Sequence, residues 1–192
     1  MITFQPATTP LVKRSASQLK RECGIEQQFM SEGSRLRQRA RSMKPLFITV
    51  HSTQNKRASA KQHSTALLNE RLPHNWHFTI DNYVSIQHIP LNETGRHADS
   101  GRTGDMFSIG IEMCEDRSQI LYKTYDRTAK TCAWLMKEYN IPLRNVVPHN
   151  FWTGKNCPHV LMDNARPGYK WKWFLSRVDY YFRCINSNQS NL

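Results

Sequence analysis

From Pro45 onward, apolar and polar positions fall into blocks that predict alternating strands and helices. Leu46-Phe-Ile-Thr-Val50 is a short apolar run rich in β-branched residues; it reads as a buried strand ending on His51. Ala58 to Arg71 predicts a helix. Trp76–Ile80 and Val84–Ile89 predict two strands joined across Asp81-Asn82-Tyr83 as a hairpin. Asn92 to Phe107 sets Gly95, Gly101 and Gly104 among polar residues and reads as a long loop, and a loop of that length inside a compact domain is often functional. Ser108–Cys114 is the next strand. Leu121, Tyr125, Ala129, Cys132, Leu135, Met136 and Tyr139 then recur at helical spacing, and Trp171, Phe174, Val178, Tyr181 and Ile185 mark a last helix. Helices interleaved with strands, one pair of which is a hairpin, predict an α/β fold: a three-layer domain over residues 45–186 with a central mixed β-sheet flanked by helices.

The flanks differ in texture. Residues 1–44 carry nine basic and three acidic residues, half of the chain's formal net charge of +12, and predict a basic N-terminal extension with one or two polar helices around Ser17–Arg41. Residues 187–192 are a polar tail. The basic balance points to an anionic partner: nucleic acid, a membrane surface or an anionic cell envelope. No apolar run approaches the ~20 residues needed to span a bilayer, and the start lacks the basic and apolar regions of a signal peptide. The expectation is a product made in the cytoplasm that reaches its target by release or injection. Five scattered cysteines, an odd number in a chain of 192 residues, fit a reducing compartment.

Candidate chemistry concentrates in Val147-Pro-His149 through Lys155-Asn-Cys157-Pro-His159. Catalytic zinc takes three protein ligands from imidazole nitrogen, thiolate or carboxylate and keeps a fourth position open. His51, His149 and Cys157 would supply such a set once a loop through Thr153-Gly154 folds the last two together. Lys155 adds a positive charge at its mouth. His159 competes with Cys157 for the ligand role or packs behind it. Glu112 lies in the apolar run Ile109-Gly-Ile-Glu-Met, where a carboxylate is costly unless paired or working. By alternation it shares a face with Gly110 and Cys114, so it faces either solvent or a catalytic metal as general base.

Five blocks, in order, carry a family likeness: Ile48-Thr-Val-His51-Ser; Trp76-His-Phe-Thr-Ile-Asp81; Gln87-His-Ile-Pro90-Leu-Asn-Glu93; Ser108-Ile-Gly-Ile-Glu112-Met-Cys; and Val147-Pro-His149 through His159. Over roughly residues 45–165 the chain resembles the zinc-dependent N-acetylmuramoyl-L-alanine amidases of the type-2 family, which includes phage endolysins and is related in fold to peptidoglycan recognition proteins. The resemblance implies hydrolysis of the amide between the lactyl group of N-acetylmuramic acid and L-alanine, with Zn2+ on His51, His149 and Cys157. It implies Glu112 as proton carrier, Lys155 as oxyanion stabiliser, and peptidoglycan as the partner. Some relatives carry a catalytic tyrosine where this chain has Trp76, which leaves proton transfer to Glu112. Where endolysins of this group often show Trp-His-Ala-Gly, this chain has Arg96-His97-Ala98-Asp99. Trp76, His77 and His97 are the expected substrate contacts.

Two other readings stay open on the residues. Cys157 can be the nucleophile of a cysteine peptidase acting on stem peptides, with His149 or His51 as base. The arginines at 35, 37, 39 and 41 can contact phosphates in a nucleic-acid-binding module, although their alternate spacing does not gather them on one helical face. For residues 1–44, and for the basic and aromatic Tyr169-Lys-Trp-Lys-Trp-Phe174, targeting to anionic envelope polymers or docking on a delivery machine is the corresponding expectation.

Overall fold

The computed structural model describes residues 10–186; the expected polar tail at 187–192 lies outside the described residues. Its centre is a six-stranded mixed sheet of β1 (Ile25–Gln27), β2 (Phe47–Ser52), β3 (Phe78–Ile80), β4 (Ser85–Gln87), β5 (Ser108–Met113) and β6 (Val146–Pro148). The spatial order is β1-β4-β3-β5-β2-β6, with β3 and β4 antiparallel as the expected hairpin and the remaining neighbours parallel.

Side-chain alternation divides the sheet into two faces with different fates. Ile48 and Val50 of β2 and Ile109, Ile111 and Met113 of β5 point into the main core, shared with α4 (Leu121–Tyr139) and α6 (Tyr169–Asn186). The stripe of α4 buries Tyr125, Ala129, Cys132, Leu135 and Met136 there, and the helix stops at Asn140, whose left-handed backbone donates its N–H to Met136 O. Helix α2 (Ala60–Leu68), started by a Ser59/Gln62 capping box, covers part of the other face, where Ala60 packs on Val84, Ile86 and Cys114. Three layers result, as the periodicity predicts. Trp171, Trp173 and Phe174 of α6 are buried in the main core, so that aromatic cluster is packing and not an exposed envelope-binding surface.

The structure differs from the expectation of an appendage over residues 16–44. Helix α1 (Ala16–Cys23), with a Ser15/Gln18 capping box and a left-handed Gly24 at its end, buries Leu19 and Cys23 completely. Leu19 joins the main core, and burying a leucine is worth roughly 1.5–3 kcal/mol. Strand β1 extends the sheet by parallel pairing with β4. Beyond it, Met30, Leu36 and Ile89 form a small apolar cluster, and Arg37 makes two 2.8 Å bonds to the Glu93 carboxylate. The segment is basic on its surface and structural beneath.

The stretch Asn92–Phe107 is largely irregular, as expected, but ends in a short helix, α3 (Thr103–Phe107).

Candidate functional site

The parallel strands β2, β5 and β6 all end at one side of the sheet, where open α/β sheets place their ligand sites. His51 and Glu112 are register partners on β2 and β5, so their side chains emerge side by side from the face opposite the main core. His149 follows β6 directly, and its N–H donates to Val50 O, which sets it beside His51.

Cys157 arrives through a loop organised by Asn150, the first residue of α5 (Asn150–Thr153). The Asn150 backbone N–H donates to Cys157 O, and its side-chain amide donates to the carbonyls of Gly154, Lys155 and Ala165. Gly154 turns the chain with φ of 74°, a conformation costly for residues with a Cβ. One asparagine thereby closes the loop that brings thiol to imidazole.

The ligand atoms of His51, His149 and Cys157 lie within 4.8 Å of one another, and all three residues are buried. Cys157 Sγ is 3.8 Å from His51 Nδ1, close to the ~3.6 Å that tetrahedral zinc with bonds of about 2.3 and 2.05 Å would set between sulfur and nitrogen. His149 Nδ1 is buried without a hydrogen-bond partner, a cost that a metal ligand position removes. Burial, reinforced by neighbouring His97, His149 and Lys155, holds His51 well below the usual imidazole range; burial and then Lys155 take His149 to about 4. Both rings are neutral near pH 7, as metal ligation requires.

Glu112 stands at the edge of this cluster, its Oε1 4.0 Å from His51 Nδ1 and its Oε2 buried without a partner. Burial is the main cause of a carboxyl pKa pushed up to about 8, with Glu115 adding to the rise and Lys155 opposing it. Burial first, then Glu112, raises the Cys157 thiol to about 12.

A cavity of about 520 Å³ opens over the cluster, lined by His51, Glu112, His149, Cys157, Trp76 and the exposed Lys155 among others. Trp76 is largely buried and donates its indole N–H to Thr79 Oγ1. His97 also lines the cavity. His77 does not: its fully buried ring accepts from Gly110 N–H at Nδ1 and meets Glu93 O with Nε2, so the structure gives it a role in joining strands and loop. His159 is likewise outside the cluster. Its Nδ1 lies 3.2 Å from the buried Glu115 carboxylate and 3.3 Å from Ser52 Oγ.

Two residues absent from the sequence reading of the site shape it. Asp105 accepts the backbone N–H groups of His97, Ala98 and Gly101, fixing the His97 loop, and Glu115 accepts from Gln54 N–H as well as facing His159. The signal for Asp105 was present, since aspartates in Gly-rich loops commonly bond nearby backbone. Asp99, where relatives were expected to show glycine, accepts from the N–H groups of Arg102, Gly104 and Asp105 and so anchors the start of α3.

The chain is similar to proteins named as N-acetylmuramoyl-L-alanine amidases. The chain is 43% identical over 141 residues to N-acetylmuramoyl-L-alanine amidase CwlH of Bacillus subtilis (strain 168), covering 71% of this chain and 54% of that protein. It is 45% identical over 125 residues to N-acetylmuramoyl-L-alanine amidase XlyA of the same organism, covering 64% and 42%. The chain thus spans about half the length of these relatives. The solved catalytic domain of XlyA superposes with a TM-score of 0.75 at 40% identity, covering 81% of this chain and 99% of that one. With the family model matching residues 41–160, a stretch that holds every residue of the buried His/His/Cys cluster and Glu112, the chain belongs to the Amidase_2 family, N-acetylmuramoyl-L-alanine amidase.

Proposed function

We propose that this chain is a zinc-dependent N-acetylmuramoyl-L-alanine amidase that cleaves the amide between the lactyl group of N-acetylmuramic acid and the L-alanine of the stem peptide. The observation that carries the reading is the buried His51, His149 and Cys157 set with the Glu112 carboxyl beside it, its Oε2 without a hydrogen-bond partner, open to one cavity. Zinc on these three residues would supply Lewis acidity toward a water and toward the scissile carbonyl oxygen.

The chain's own groups do the rest. Glu112 takes the proton of the attacking water and delivers it to the leaving nitrogen as the C–N bond breaks, leaving a lactyl carboxylate and a free L-alanine amine. Lys155 reaches into the cavity with a charge that opposes the developing oxyanion, a contact type worth roughly 10²-fold in rate. Trp76 forms an apolar wall and has no hydroxyl to share the proton transfer. Peptidoglycan is the partner, and no described helix is long and apolar enough to cross a membrane.

Metal analysis combined with mass spectrometry of digested peptidoglycan tests the proposal. The expected result is about one zinc per chain, free L-alanine amino termini and intact glycan strands. New reducing sugar ends, or full turnover after chelation, would overturn it.

A further inference from the structure

His97 stands between the candidate metal cluster and the sheet, and its hydrogen bonds dictate where protons sit. Its Nε2 is 3.2 Å from Ser108 O, a carbonyl that can only accept, so Nε2 carries the ring hydrogen. Nδ1 of a neutral ring protonated at Nε2 is an acceptor, and it lies 3.1 Å from His51 Nε2. His51 therefore donates from Nε2, and its lone pair is left on Nδ1. That is the atom facing Cys157 Sγ at 3.8 Å.

The seat of His97 is specific. A Cβ added at Gly110 would lie 2.6–2.7 Å from three His97 ring atoms, and one added at Gly95 would lie 2.8 Å from its Cδ2. Only glycine at 110 lets the ring lie against β5, which gives the Ile109-Gly-Ile-Glu112 run a physical reason beyond its glutamate. The Asp105 carboxylate holds the backbone N–H of His97 and of Ala98 from the loop side. Ring and loop are both fixed before any ligand arrives.

We propose that His97 is a positioning residue that holds His51 in the Nε2–H tautomer, presenting Nδ1 to the metal, with Gly110 providing its seat. The inference rests on the metal-site reading above but not on which amide is cut. Partners that orient a ligating imidazole through its second nitrogen commonly govern metal affinity by about 10–100-fold.

Long-range proton–nitrogen NMR of the metal-free protein reads the tautomer of His51, and chelator competition reads zinc affinity. In the wild type His51 should carry its proton on Nε2. His97→Ala should lose that single tautomer and bind zinc about 10–100-fold more weakly, whereas His97→Asn, whose amide oxygen can stand in for the Nδ1 acceptor, should recover most of both. Gly110→Ala, which displaces the ring, should move the readouts in the direction of His97→Ala. A wild-type His51 protonated on Nδ1 would overturn the proposal without any variant, as would a folded His97→Ala protein with unchanged tautomer and zinc affinity within about twofold of the wild type. A chain that binds zinc and responds to His97→Ala but cuts no muramoyl amide would sink the amidase reading and leave this one standing.

Discussion

Replacing Glu112 with glutamine should stabilise the metal-free protein while removing its activity. Burial raises the Glu112 pKa from 4.5 to about 8, so the folded state holds this proton more tightly than the unfolded chain does. A group shifted this way contributes its full stability below about pH 4.5, and that contribution is lost as pH rises through the window from 4.5 to 8. At pH 7 the shift implies a penalty of about 3 kcal/mol, taking 1.36 kcal/mol per unit over the roughly 2.5 units between 4.5 and 7. Glutamine keeps the shape and never ionises. In a domain of this size, 1 kcal/mol moves the melting temperature by about 2–4 °C, so Glu112→Gln should melt about 6–12 °C above the wild type at pH 7 in the presence of chelator. Near pH 4 the two should coincide, and with zinc bound the gap should narrow because a dication beside the carboxyl favours its charged form. Thermal denaturation at the two pH values checks this. A variant melting at or below the wild type at pH 7, or an offset that persists undiminished at pH 4, would refute the argument that Glu112 is held uncompensated beside the cluster.

The same variant should retain zinc and lose about 10²–10⁴-fold in turnover, measured on purified sacculi, because an amide cannot carry the proton. Lys155→Ala should keep both fold and zinc and lower kcat by about 10²-fold with little change in KM; an effect confined to KM would assign Lys155 to substrate binding instead. Cys157→Asp should bind zinc more weakly yet keep measurable hydrolysis, since a carboxylate is a legitimate third ligand, and a dead variant beside a chelator-resistant wild type would restore the nucleophile reading. Leu19→Ala, at a fully buried position of α1, should cost about 2–5 kcal/mol by denaturant unfolding, whereas a change within about 0.5 kcal/mol would show that α1 is dispensable to the core.

The sequence by itself determined the elements whose pattern is local and repeated. The apolar run ending on His51 formed β2, the alternation in Ser108–Met113 formed β5 with Glu112 on the face away from the core, and the 3.6-residue stripes of Leu121–Tyr139 and Tyr169–Asn186 formed α4 and α6. His51, His149 and Cys157 were legible because metal ligation restricts residue types, and the structure brings them together. Tertiary structure alone decided the rest. Leu19, Cys23, Met30 and Leu36 stand singly among charged residues with no sustained period, so only contact with α4, β4 and Ile89 reveals that the basic segment belongs to the fold. Parallel pairing of β1 with β4 joins residues 60 apart, as Ile25 with Ser85, and no local pattern encodes such a partner. The same holds for His97, in a polar loop, and His77, in an apolar strand run, both of them expected substrate contacts. One faces the cavity and the other bridges β5 to the Glu93 carbonyl because an imidazole's role is set by which donors and acceptors meet its two nitrogens, and those come from strands and loops distant along the chain.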